Sequence, residues 1–307
     1  MGVTLFVMSI VVFLASVGYL RDGRRQNAGV AFLASTILFS AAALVSATRG
    51  MGSRDTLVGF GIFFGLGFLT QLAETLWPLR KYLKPKALRI DLIAWAVVLL
   101  ASLVFDMVQD RALWRLVRLP GLNWMPGVAR VVDANVSWPI ALLVSVVVLD
   151  FLLYLGHRLL HTSFLWHTHA AHHSVEHLYW FGGNRASPIH IAVQSVWPSL
   201  LALVWPVHGG SPAMVIQLII YACIQHFNHA NLKWRLGLLG WLLVTPRYHF
   251  VHHGADPKLN NSNFGFLLTV WDRMFGTYVS PNSVPDDFPL GLNYKVGATR
   301  MLIGLPP

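Results

Sequence analysis

Fourteen histidines in 307 residues are the outlier of this sequence, and most of them cluster. His157 and His161 stand four apart in HRLLH. His169, His172 and His173 follow in LWHTHAAHHS. His226 and His229 stand three apart, and His249, His252 and His253 repeat the HxxHH spacing. Residues three and four apart share one face of a helix. Each box therefore presents its rings together, and the adjacent pairs His172/His173 and His252/His253 can serve two metals, one imidazole each. Imidazole suits iron, zinc and copper, and each ring needs its other nitrogen fixed by an acceptor. A lone histidine on an apolar face is most often a satisfied core residue. So many in this pattern, in or near a membrane, make little physical sense without a metal, because polar groups are costly to desolvate there. A structural zinc site is closed and four-coordinate. This many rings fits two ions with open positions better, which favours iron and dioxygen chemistry, although ligand count alone leaves two zincs open.

The elements that must position these rings are apolar. Apolar residues make up 55% of the chain, charged residues 12%, and the mean hydropathy is +0.56. A soluble domain carries about 25% charged residues, so lipid is expected to replace water around much of the protein. Spanning a bilayer as helix takes about 20 apolar residues. Five stretches qualify: Val3–Leu20, Ala28–Ala47, Leu57–Trp77, Ile90–Val108 and Val136–Gly156. A further apolar hairpin runs from Ile189 to Gln225, broken at His208-Gly-Gly-Ser-Pro212, and its short second leg ends at His226. The fold class expected is all-α: a polytopic transmembrane helical bundle with a cytosolic histidine-rich helical cap.

The net charge of +10 does not point to nucleic acid, because Lys and Arg lie in short loops between apolar runs. Loops 21–27 and 78–89 are basic and share a side with the histidines, which places that side in the cytoplasm and the N-terminus outside. Loop 109–135, opposite, also carries four Arg, and Leu113–Leu119 within it reads as a short interfacial helix. The first apolar run lacks a small-residue cleavage site and reads as a retained span. The single cysteine, Cys223, allows no intrachain disulfide and no thiolate cluster. The Leu-Pro-Pro end carries no retrieval signal of the Lys-Asp-Glu-Leu type, which favours a bacterial inner membrane over endoplasmic reticulum.

The series HRLLH, LWHTHAAHHS, HANL, TPRYHFVHH and NFGFLLTVWDRMFGTY, over about residues 140–280, resembles the fatty acid hydroxylase superfamily, and within it the sterol desaturase-like membrane proteins. The resemblance implies a non-haem di-iron centre and oxygen-dependent hydroxylation, desaturation or ether cleavage of a lipid. Carried onto matching positions, it implies His157, His161, His169, His172, His173, His229, His249, His252 and His253 as ligands, with His226 replacing or joining His229. His167 falls at a variable position and reads as surface or as a support to the ligands. Asp150, Tyr154, His157 and His161 fall on one helix face. An Asp within a span is a functional candidate, and Asp150 is placed to accept a hydrogen bond from a ligand ring. Many sterol-oxidising relatives read Arg-Phe-His-Pro-Leu-Glu where this chain reads Arg185-Ala-Ser-Pro-Ile-His190, which weakens transfer of a sterol substrate. His190 joins Asp150 and Tyr154 as a catalytic candidate. The alkylglycerol monooxygenase branch has a similar Arg-x-Ser stretch and an HHG resembling His252-His253-Gly254.

These readings divide the chain into transmembrane helices of unassigned role (1–135), a catalytic domain (136–280) and a C-terminal tail (281–307). No haem, flavin, nicotinamide or iron–sulfur motif is visible, so electrons are expected from an external donor: cytochrome b5-like, ferredoxin or reduced pterin. Hydroxylation is the first reading and desaturation the alternative. A metal transporter would line several spans with polar residues, and the spans here are nearly bare of them. The run Trp271–Tyr278 reads as structural, with Asp272 pairing with Arg or capping a turn. Asn263 and Gly265 read as a turn beside the last box.

Overall fold

A computed structural model describes residues 54–81, 88–205, 212–234 and 236–306. The first two apolar runs, loop 21–27, half of the basic loop 78–89 (residues 82–87) and the hairpin turn at 206–211 lie outside the described residues. Every element described is helical, and no strand occurs among the described residues.

The long helices are α1 (Arg54–Leu76), α2 (Leu88–Leu116), α4 (Trp138–Leu160), α6 (Pro188–Ala202) and α7 (Pro212–His229). Proline opens α4, α6 and α7, at Pro139, Pro188 and Pro212, where its missing N–H costs nothing and its fixed φ suits a first turn. A short α3 (Met125–Asn135) fills loop 109–135. No separate helix forms at Leu113–Leu119: residues 113–116 are the end of α2, whose apolar spacing continues past Val108 despite Asp110 and Arg111. Among the described residues one helix, Trp138–Leu160, is long and apolar enough to cross a membrane. Large apolar side chains nevertheless stand exposed along α1 (Leu69, Leu72, Leu76), α2 (Ile93, Leu100, Val104) and α4 (Ile140, Leu143).

Helix α4 is central. Helices α6 and α7 both pack on it, α2 packs on α6, and α1 packs on α7. Short helices gather where α4 and α7 end: α5 (Trp166–His173), α8 (Leu239–Leu242), α9 (Pro246–His252), α10 (Pro257–Asn260), α11 (Val270–Met274) and α12 (Ala298–Ile303). Their core joins Val175, Leu178, Phe250 and Val251 to Phe288 and Leu290. Met301 and Leu302 of α12 pack on Ala94 and Ala171, so residues 281–306 are built into this end rather than trailing from it.

Two buried carboxylates tie the long helices to it. Glu74 of α1 accepts from the backbone N–H groups of Trp180 (2.8 Å) and Asn231 (2.7 Å). Asp91 of α2 accepts from Arg185 Nε at 2.8 Å and from the Tyr179 hydroxyl at 2.7 Å. A buried polar group is costly unless hydrogen-bonded, so these contacts fix how α1 and α2 meet the histidine-bearing segments.

Candidate metal centre

The HRLLH box is the last turn of α4, with His161 as its C-cap. HxxHH at 169–173 ends α5, and the 249–253 box is α9 with its cap. Helix α9 starts where Thr245 accepts from the Tyr248 N–H at 3.2 Å, with Pro246 next, so a good cap and a first-turn proline set its register.

Nine histidines converge in two groups. His157, His161, His169, His173 and His252 form one, and His172, His229, His249 and His253 the other; within each group the ligand atoms lie within 4.8 Å of one another. The adjacent pairs divide as their helical angle requires: His173 and His252 face the first group, His172 and His253 the second. The groups share a wall, with the His173 and His253 rings stacked at 4.6 Å.

Backbone carbonyls orient the rings. His157 Nδ1 meets the Phe264 carbonyl at 2.9 Å, and His252 Nδ1 the Ser262 carbonyl at 2.7 Å. His172 Nδ1 meets the Arg185 carbonyl at 3.2 Å, and His229 Nδ1 the Gln225 carbonyl at 2.8 Å. A carbonyl only accepts, so each of these Nδ1 atoms carries the proton and each neutral ring presents a bare Nε2. Yet His172 Nε2 and His229 Nε2 lie 3.2 Å apart, and His229 Nε2 and His249 Nε2 3.0 Å apart. In the first group His157 Nε2 and His169 Nε2 lie 3.1 Å apart. Protonation does not resolve this crowding. Burial, and then the neighbouring imidazoles, push His169, His172, His173 and His249 well below the ordinary imidazole value. Burial likewise lowers His252 and His253. Where both rings hold their Nδ1 protons on carbonyls, as His172 and His229 do, bare Nε2 atoms face one another in a buried site, which calls for a cation. Imidazole binds zinc at about 2.0–2.1 Å, which puts two nitrogens on one ion about 3.0–3.4 Å apart; the observed spacings fit.

The loop that supplies two of these carbonyls is itself clamped. Asp272, fully buried, accepts from Phe264 N (2.9 Å), Gly265 N (2.7 Å), Thr277 Oγ1 (2.6 Å) and the Tyr248 hydroxyl. Asn263 holds φ at +56°, a left-handed conformation that Asn tolerates better than most residues. Its side chain bonds the backbone of Tyr248 and Val279. Asn263 and Gly265 thus form the expected turn. Asp272 bonds backbone amides and hydroxyls, and its role in holding ligand-orienting carbonyls carries no sequence signature beyond its neighbourhood to that turn.

The remaining candidates fall elsewhere. Asp150 does not reach a ligand ring: its oxygens accept from Leu267 N (2.7 Å), Leu268 N (3.1 Å) and Trp271 Nε1 (2.7 Å), which occupy both. Tyr154 shares that face, and its hydroxyl lies 3.1 Å from Thr277 Oγ1, in the Asp272 network. His190 does touch the centre, its Nδ1 lying 3.1 Å from His169 Nδ1. His226 stands outside both groups, with Nε2 on the Phe63 carbonyl at 2.7 Å and its ring against Trp180. His167 also lies outside them. Gly183 is a missed contributor. A Cβ there would fall 2.1 Å from His229 Cγ, so only glycine lets that ring reach the second group.

The helical frame described brings together nine mostly buried imidazoles in a polyhistidine cluster that could hold metal. Residues 142–277 match the fatty acid hydroxylase family. It is 29% identical over 191 residues to an alkylglycerol monooxygenase of Caenorhabditis elegans, covering 62% of this chain and 33% of that protein. It is 32% identical over 165 residues to the ornithine lipid hydroxylase OlsE of Rhizobium tropici, covering 52% and 48% respectively. An alkylglycerol monooxygenase of Xenopus tropicalis is 33% identical over 174 residues, covering 54% and 34%. The chain thus spans a third to a half of the length of these relatives. No solved structure matches it.

Proposed function

We propose that this chain is a membrane-embedded, di-iron, dioxygen-dependent lipid hydroxylase. The observation that carries the reading is the sorting of nine histidines into two adjacent groups, with the bare Nε2 atoms of His172 and His229 facing one another in the second. The superfamily match and the lipid-oxidising relatives support iron and a lipid substrate. The exposed apolar faces of α1, α2 and α4 support a polytopic bundle in lipid. The basic loops support a cytoplasmic histidine end, and a bacterial inner membrane remains the favoured location.

When bound, the metal pair supplies dioxygen activation and the oxidant for an unactivated C–H bond. The chain does the rest. His157, His161, His169, His173 and His252 would hold one ion, and His172, His229, His249 and His253 the other. The carbonyls of Phe264, Ser262, Arg185 and Gln225 keep protons on Nδ1 and leave Nε2 free for metal. His190 steadies His169 from behind. Asp150, Tyr154 and Asp272 act at one remove by holding segment 262–277 onto α4. Electrons come from a separate donor of the cytochrome b5, ferredoxin or reduced-pterin kind.

The test is lipid profiling of cells with and without the protein under air. A lipid heavier by one oxygen supports hydroxylation, and loss of two hydrogens supports desaturation. An unchanged lipidome from cells holding metal-loaded protein refutes the oxidative reading. His172→Ala and His252→Ala are each expected to abolish turnover while membrane insertion persists.

A further inference from the structure

Helices α6 and α7 flank α4 and leave a groove of about 400 Å³ between them. Its floor is Leu149 and Leu153 of α4, its walls run from Ile191 to Pro198 of α6 and from Gln217 to Tyr221 of α7, and Phe266 closes one end. All three helices bring their histidine ends to that same end. Leu153 precedes His157 by one turn, about 6 Å along the axis. Ile191 follows His190, and Phe266 lies two residues beyond the carbonyl that holds His157. The groove therefore lies about one helical turn from the first histidine group.

Beside its apolar side chains the groove is lined by Gln194, Ser195, Gln217 and Tyr221. The Tyr221 hydroxyl is buried and has no hydrogen-bond partner. A buried donor left unpaired costs about 1–3 kcal/mol, so it fits a visitor that brings an acceptor. Gln194, one turn after His190, also lines the groove, and its amide can donate.

We infer that this groove seats the alkyl chain of the substrate, and that Tyr221 and Gln194 donate to an oxygen on that chain, selecting an ether, ester or amide lipid over plain hydrocarbon. Tyr221 and Gln194 are specificity-determining residues. The inference rests on the lipid-oxidising reading and names the substrate chemistry of that same site.

The experiment uses the metal-loaded protein in detergent with two photoreactive probes of equal length: a diazirine-bearing hexadecyl glycerol ether and a diazirine-bearing hexadecane. Labelled peptides are mapped by mass spectrometry, and probe affinity is measured by competition with unlabelled ether. The ether probe is expected to label residues 149–153, 191–198 and 217–221 and to bind more tightly than the hydrocarbon. Tyr221→Phe should lower that preference about fivefold, the worth of one hydrogen bond, with iron content unchanged. Leu153→Trp should fill the groove and abolish labelling while iron stays bound. Labelling confined to other segments, or a preference untouched by both Tyr221→Phe and Gln194→Leu, overturns the inference. Normal labelling of a protein that never oxidises lipid would instead overturn the proposed function and leave the groove assignment standing.

Discussion

Asp272→Asn separates the two metal positions. The carboxylate takes four hydrogen bonds, from Phe264 N, Gly265 N, Thr277 Oγ1 and the Tyr248 hydroxyl. Asparagine keeps one acceptor oxygen and turns the other into a donor. With its oxygen at the Oδ1 position, Gly265 N–H is left buried and unpaired, and with the opposite orientation Phe264 N–H is. Hydrogen bonds to a charged group contribute about 1.5–3 kcal/mol each, and an unpaired buried donor costs about 1–3 kcal/mol. The local loss is therefore about 3 kcal/mol, concentrated in loop 262–265. That loop orients His252 and His157, both in the first group, and supplies no carbonyl to a ring of the second. Losing a partner that orients a metal ligand typically costs about 10–100-fold in affinity. Iron released to a chelator should thus become biphasic, with one iron lost at about 10–100-fold lower chelator and the other retained as in the parent. Equal loss of both irons, or no loss, in a protein of unchanged helicity refutes the argument that this loop serves one position only.

Gly183→Ala should give the converse, since its Cβ would drive into the His229 ring; the second group should lose its metal first, and retention of both irons would show that the ring adapts. His226→Ala should keep both irons and cost stability through its lost bond to the Phe63 carbonyl, whereas His229→Ala should lose one iron; equal iron loss in the two variants would place His226 among the ligands. For pH dependence, the buried rings of His169, His172, His173 and His249 stay neutral when folded, while the unfolded chain takes up protons near its usual value of about 6.5. The unfolded state then binds more protons below that value, so stability rises with pH. Metal retention and thermal stability should be full above about pH 6.5 and fall progressively below it, as read by iron release and melting between pH 8 and 5. A flat profile would contradict the burial of neutral rings.

Much of the site was legible because helical angles are local. The spacing 169, 172, 173 and 249, 252, 253 already divides adjacent imidazoles between two directions, and the structure places them so. What was not legible depends on partners distant in sequence. Asp150 and Tyr154 share the His157 face, yet their partners are residues 267–277, more than a hundred positions away, and no periodicity names them. The orienting acceptors are backbone carbonyls, which every residue possesses. His226 and His229 share a helical face, but Gly183 makes room for only one of them in the second group, and a close approach of that kind cannot be read from spacing. Helix α3 was hidden because its exposed Val128 and Val131 alternate with charges in a short amphipathic pattern, where a span is sought by continuous hydrophobicity.

The most direct test of the account is metal analysis of the purified full chain combined with a redox titration. Two irons per chain, changing spectroscopically on reduction and again on exposure to dioxygen, is the result the histidine geometry predicts. One zinc per chain with no redox response would contradict it.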